Sequence, residues 1–265
     1  MKKIILIGSI VLCACNASHK ATTNGSTCTG NYVGGKLFTA LYQQKAAEYR
    51  ALCLQAYNIA RLRLDQYQPE SNKPKAIITD IDETIFDNSP YAVHQGLQGK
   101  DYEPASWYQW TDKAAADTVP GGASFLKYAS SKGIEIFYIT NREERERVTT
   151  LKNLQLYNFP NADDAHFFPR QTTSSKEARR QTVAATHEII MLLGDNLADF
   201  SNLFDKKQID ERLQNTNAST KDFGNRFIVL PNPNYGDWEG ALFNYNYKLT
   251  QVQKDSIIKA GLKSF

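Results

Sequence analysis

Ala76-Ile77-Ile78-Thr79-Asp80-Ile81-Asp82-Glu83-Thr84 is the stretch that decides the fold. A short apolar, β-branched run ends in two carboxylates. Pro69 and Pro74 stand just before it and close a long helical pattern. Four further runs of the same character follow, at 134–140, 166–168, 189–193 and 227–230. Helical patterns separate them at 123–131, 143–156 and 176–186, the first stopped by Gly133 in the position after a helix where glycine is favoured. Strands alternating with helices predict an α/β fold, a parallel sheet with helices on both faces.

Outward from that frame, residues 37–67 contain neither Gly nor Pro and repeat apolar residues at helical spacing, so one long amphipathic helix is expected there. Residues 88–118 interrupt the alternation with Gly96, Gly99, Pro104 and the aromatic group Tyr102, Trp107, Tyr108 and Trp110. This insertion is expected to overhang the first strand. With 35–68 and a C-terminal helix near 250–262 it forms a smaller helical cap subdomain, all within a domain spanning 35–265.

The amino terminus reads as an export signal. Lys2 and Lys3 precede an apolar run at 4–12, too short for a membrane span of about 20 residues. The run ends in Leu12-Cys13-Ala14-Cys15, which resembles a lipobox, with Cys15 as the acylated residue and 1–14 as the removed signal peptide. An ordinary secretory signal cut near Ala14 or Ala17 is the alternative. Residues 15–34, polar at their start, are expected to be a flexible tether. Asn16 in place of an aspartate favours the outer membrane. Cys28 and Cys53 remain, and whether they pair is open; cysteine spacing gives no zinc motif.

Of the 265 residues, 42% are hydrophobic and 11% aromatic, enough for a packed core. Without Lys2 and Lys3 the chain carries 29 basic against 28 acidic side chains, so nothing electrostatic supports nucleic-acid binding.

Polar residues fall where the strands end. Asp80 ends the first run, Thr140 the second, and Asp195 follows the fourth. In an open parallel sheet the carboxyl ends of the strands share one crevice, so these segments converge. Asp80 and Asp82, two apart in an extended segment, would face the same way. Asp80 can attack phosphorus, and Asp82 can protonate the leaving oxygen and then deprotonate a water. Two carboxylates beside a phosphate need a hard cation, most naturally Mg²⁺, between Asp80, Asp195 and a phosphate oxygen. Thr140 and Lys176 can hold the other phosphate oxygens.

These residues resemble the class C acid phosphatases, bacterial surface lipoproteins of the haloacid dehalogenase superfamily that include 5′-nucleotidases. The resemblance rests on Asp80-Ile81-Asp82-Glu83-Thr84, then Phe86-Asp87-Asn88-Ser89-Pro90-Tyr91, Ile139-Thr140-Asn141-Arg142, Lys176 and Gly194-Asp195-Asn196-Leu197-Ala198-Asp199-Phe200. It implies a haloacid-dehalogenase-like Rossmannoid sheet and a magnesium cofactor. Asp80 would be nucleophile and metal ligand, Asp82 acid and base and a ligand through its carbonyl, and Asp195 a second carboxylate ligand. Asp199 would stand behind the metal or orient Lys176. Thr140, Asn141 and Lys176 would bind phosphate. It also implies an aromatic clamp on the base of a nucleoside 5′-monophosphate, here Tyr235 with Trp107 or Trp110, while Trp238 is left to core packing.

His19, His94, His166 and His187 have no paired spacing and no Arg-His-Gly element, which excludes histidine acid phosphatase chemistry. The readings left open are a broad phosphomonoesterase without base preference and a non-catalytic surface-binding lipoprotein. The oligomeric state is open, a homodimer included.

Overall fold

The computed structural model describes residues 31–265. The leader, Cys15, Cys28 and most of the expected tether lie outside the described residues. Two helices come first, α1 (Asn31–Lys45) and α2 (Ala47–Gln66). They are followed by β1 (Lys75–Thr79), β2 (Phe86–Asp87), α3 (Ser89–Leu97), α4 (Pro104–Thr111), β3 (Asp117–Thr118) and α5 (Gly122–Ser131). Next come β4 (Glu135–Glu143), α6 (Arg147–Leu156), β5 (Phe167–Arg170), α7 (Glu177–Thr186) and β6 (Glu188–Gly194). The chain ends through α8 (Ile209–Ala218), β7 (Phe227–Val229), α9 (Asp237–Leu242) and α10 (Gln251–Gly261). Among the described residues no helix is long and apolar enough to cross a membrane.

The five main strands pair in the order β5-β4-β1-β6-β7, with β1 at the centre and every pairing parallel. Alternation along β1 divides the core. Ile77 packs with Tyr49, Cys53 and Tyr57 of α2 and with Phe125 and Leu126 of α5, whereas Ile78 packs on the other face with Phe137, Val183 of α7 and Phe200. The turn after α5 is as the sequence predicts: Gly133 has φ 77°, and the amides of Gly133 and Ile134 return to the carbonyls of Ser130 and Ala129.

Four expectations change. The long helix is two, because Ala46 leaves helical geometry (ψ 125°) while the amide of Ala46 still reaches Tyr42 O at 2.9 Å. Only α1 joins the small helical cluster, where Tyr32 and Val33 pack with Phe243 and with Ile257 and Ile258 of α10; α2 buries its apolar stripe against the sheet. Residues 31–34, assigned to the tether, are already the first turn of α1. Finally, β4 runs on to Glu143, so the expected helix at 143–156 begins as a short 3₁₀ turn at Glu144–Glu146 and becomes α-helical only at Arg147.

Candidate active site

The amide of Asp80 donates to Leu193 O at 2.9 Å, which prolongs the β1–β6 pairing by one residue and delivers the carboxylate at the carboxyl edge of the sheet. The chain then turns tightly. Amides of Ile85 and Phe86 both return to Ile81 O at 2.9 Å, and Glu83 sits in left-handed conformation with φ 56°. That turn brings Asp82 to the same opening. From β6, Asp195 follows Gly194, and a 3₁₀ turn at Leu197–Asp199 folds Asp199 back so that it accepts from the amide of Asn196 at 3.0 Å. Gly194 must be glycine, since a Cβ there would collide with the side chain of Asp199. Lys176, at the residue before α7, inserts its ammonium between Asp80 and Asp199, 2.7 Å from the latter.

Asp80, Asp195 and Asp199 present carboxylate oxygens all within 4.8 Å of one another. Their charge is unbalanced, with three carboxylates facing the single ammonium of Lys176. Burial, with Asp199 and Asp82 adding repulsion against the pull of Lys176, pushes the Asp80 carboxyl up to about 7. Asp195 is driven well above the carboxylate range by burial and then by Asp199 and Asp80, although Asn232 donates to it at 2.7 Å. Burial works against the Lys176 ammonium, but Asp199 and Asp80 outweigh it and raise its pKa. An all-oxygen donor set with a deficit of positive charge fits a hard divalent cation.

Asp82 is held differently. Arg142, 3% exposed, contacts it from Nη2 at 2.7 Å and from Nε at 3.1 and 3.2 Å, and Asn88 Nδ2 donates to it at 2.8 Å. The third guanidinium nitrogen, Nη1, donates to the Thr150 hydroxyl at 3.1 Å, so the guanidinium is fixed at both ends.

These residues open on one cavity of about 430 Å³. Asp80, Asp82, Asn141, Arg142, Lys176, Asp195 and Asp199 line it, and Trp107 and Tyr235 stand on its walls. Trp107 packs edge-on to Tyr91 at 5.1 Å and donates to Glu146 at 3.0 Å. Tyr235 follows β7; the residue is 36% exposed while its hydroxyl reaches in to Glu83, which is 1% exposed. Burial, then Asp82, raises the Glu83 carboxyl to about 8.

Not every expected residue comes to the cavity. Thr140 is fully buried within β4 and its hydroxyl accepts from the amide of Arg142 at 3.0 Å; Asn141 takes the place on the cavity wall. Trp110 packs against the core and donates to Asn88 at 2.8 Å instead of lining the cavity, so of the two tryptophans Trp107 is the one that does. Trp238, expected in the core, is 45% exposed in α9 and donates to Tyr235 O at 3.1 Å.

Residues 10–238 match the family described as HAD superfamily, subfamily IIIB (Acid phosphatase). The chain belongs to this acid phosphatase family. It is similar to the class C acid phosphatase from Bacillus anthracis, with 42% identity and a TM-score of 0.85 over 88% of this chain and 99% of that one. A second structure of that protein, with tungstate bound, matches equally well over 98% of its length. Acid phosphatase 1 of Solanum lycopersicum is 25% identical over 129 residues, 46% of this chain; the match spans half the length of that curated relative.

Within this acid phosphatase, Arg142, Asn88, Asn232 and Glu83 are site residues that sequence reasoning left without a role. Arg142 was within reach, since it belongs to the Ile139-Thr140-Asn141-Arg142 segment that closes the second apolar run. Asn232 was not, because its contact to Asp195 joins residues 37 apart in sequence.

Proposed function

We propose that this acid phosphatase is a magnesium-dependent phosphomonoesterase that hydrolyses nucleoside 5′-monophosphates through a phosphoryl group carried on Asp80. The observation supporting it is that one cavity holds the carboxylate cluster at its floor and Trp107 and Tyr235 on its walls. That the Bacillus anthracis relative was solved with tungstate, a tetrahedral oxyanion like phosphate, agrees with such a substrate.

Asp80, at the end of the central strand, attacks phosphorus as its bond to the ester oxygen breaks. Asp82, aimed by Arg142 and Asn88, hands its proton to that departing oxygen. A water then attacks the aspartyl phosphate, Asp82 takes its proton, and phosphate leaves with Asp80 regenerated. Lys176 offsets charge on the phosphate oxygens from between Asp80 and Asp199. Asp80 and Asp195 would hold Mg²⁺, with Asp199 beside them, and the ion would supply charge neutralisation for the dianionic substrate. The loop bearing Tyr235 is tied to the catalytic turn through Glu83, so base contact and chemistry share one support.

We further propose that export through 1–14 and acylation of Cys15 place the enzyme on a membrane, the outer membrane where there is one. Two or three acyl chains suffice for stable anchoring.

The test is kcat/KM on a panel of 5′-monophosphates and an aryl phosphate, with Mg²⁺ and with chelator, for wild type and Tyr235→Ala. Stacking of about 1–3 kcal/mol per base predicts a loss of roughly 5- to 150-fold on nucleotides and little on the aryl ester. Equal losses on both would remove the base from the reading.

A further inference from the structure

The four histidines have no paired spacing in sequence, yet the fold gathers two of them at the amino ends of the strands, opposite the active site. His166 immediately precedes β5, His187 immediately precedes β6, and Glu135 is the first residue of β4. Nε2 of His166 and Nε2 of His187 each lie 3.3 Å from the same oxygen, Oε2 of Glu135. Each imidazole has its other nitrogen occupied. Asp163 Oδ1 stands 2.7 Å from Nδ1 of His166, and the Thr186 hydroxyl 2.8 Å from Nδ1 of His187. Both rings rest on Phe137, their centroids 4.9 Å from its own.

We propose that Glu135, His166 and His187 form a second metal site, selective for a borderline divalent ion such as Zn²⁺ and independent of the catalytic centre. A ligating imidazole normally has its remote nitrogen anchored by a carboxylate or another acceptor, which fixes the tautomer and turns the lone pair of the ligating nitrogen inward. Asp163 supplies that anchor to His166, and Thr186 stands in the same relation to His187. Two imidazole nitrogens and one carboxylate oxygen are a zinc donor set with a position left for water. The catalytic aspartates, all oxygen, favour a hard ion instead.

The group is more open than a closed site, since its donor atoms are not grouped within 4.8 Å as those of the three aspartates are. Zinc bonds of about 2.0–2.2 Å require the rings to move together. The freedom lies in Glu135, whose side chain is 41% exposed, while the imidazoles, each 15% exposed, are held by their anchors and by Phe137. A bound ion would tie β4, β5 and β6 together at the end of the sheet away from substrate.

The experiment uses the full mature protein carrying Asp195→Asn, which weakens the catalytic site. Zn²⁺ affinity is read by competition with a chromophoric chelator, and Cu²⁺ is used as a paramagnetic probe. One Zn²⁺ per chain is expected, its affinity falling more than about tenfold in His166→Ala and in His187→Ala, and about 10- to 100-fold in Asp163→Asn. The Cu²⁺ spectrum should carry nitrogen hyperfine structure that an all-carboxylate site cannot give. In the Asp195 background of wild type, each histidine variant should hydrolyse an aryl phosphate normally, which also reports that it is folded. No zinc retained, affinity indifferent to His187→Ala, or copper without nitrogen coupling would each overturn the site.

Discussion

Two acidic groups line the same cavity and have opposite electrostatics. At the floor, Asp80 and Asp199 share the ammonium of Lys176 while Asp195 lies beside them, and the carboxyls of Asp80 and Asp195 are pushed upward. At the far end, Asp101 is answered twice, by Lys36 at 3.1 Å and Lys254 at 2.7 Å, and accepts from the Tyr32 hydroxyl at 2.8 Å. Burial works against ionisation there too, but Lys36 first and then the other donors bring the Asp101 carboxyl down to about 2. The far end is complete within the chain, tying α1 to α10. The floor is complete only with a cation and a substrate, and a buried cluster left short of charge is characteristic of a site built for chemistry.

The largest effect that breaks this contrast removes the proposed nucleophile. Asp80→Asn should lower kcat by about 10⁴-fold or more. Stopped or single-turnover phosphate release measures it, and EDTA should silence wild type to a similar degree, reversibly with Mg²⁺. Substantial turnover in either case would contradict the mechanism. Asp82→Asn should cost about 10²- to 10⁴-fold on alkyl phosphates. The loss should shrink on aryl esters whose leaving group needs no proton; an equal loss on both would take the general acid away from Asp82.

A smaller effect sharpens the comparison through pH. Asp80, near 7 when folded, binds its proton more tightly than in the unfolded chain. The raised pKa contributes stability that is present below about pH 4 and lost as pH rises to about 7. Asp195 moves in the same direction. Between pH 5 and 7 Asp101 is ionised both folded and unfolded and adds little slope. Metal-free protein should therefore unfold more easily at pH 7 than at pH 5. Mg²⁺ at 100 times its pH 7 Kd adds about 2.7 kcal/mol, roughly 5–10 °C in Tm, and the same concentration should add less at pH 5, where protons compete for the carboxylates. Scanning calorimetry of wild type and Asp195→Asn separates the contribution. A magnesium shift equal at both pH values in wild type would tell against a proton-competed floor.

What could be read from sequence follows from distance along the chain. Apolar runs ending in Asp80, Thr140 and Asp195 place three strand ends in one crevice, because a parallel sheet leaves them little choice. The break at Ala46 was hidden, since alanine is the strongest helix former and nothing local announces a bend. Trp107 and Trp110 could not be told apart by type. On a helix they lie three residues apart, about 60° around its axis, and only one then faces the cavity. His166 and His187 belong to different strand entries and meet only once β5 and β6 are set beside β4 and β1.

The smallest effect tests the completed end. Asp101→Asn leaves Lys254 and Lys36 without their shared carboxylate, although Lys36 keeps Glu239 at 3.1 Å. Removing one partner of a largely buried ion pair costs more than the pair contributes, so about 1–3 kcal/mol of stability should be lost. Because the proposed Mg²⁺ site is at the other end, the loss measured by urea unfolding should be the same with and without the ion. Adding Lys254→Met should recover part of it, since the unanswered ammonium is then gone, and a double-mutant cycle reads that coupling directly. Hydrolysis of an aryl phosphate should stay within about twofold of wild type, since the floor is untouched. A magnesium-dependent loss would mean that the two ends act as one electrostatic unit, and the distinction between them would fall.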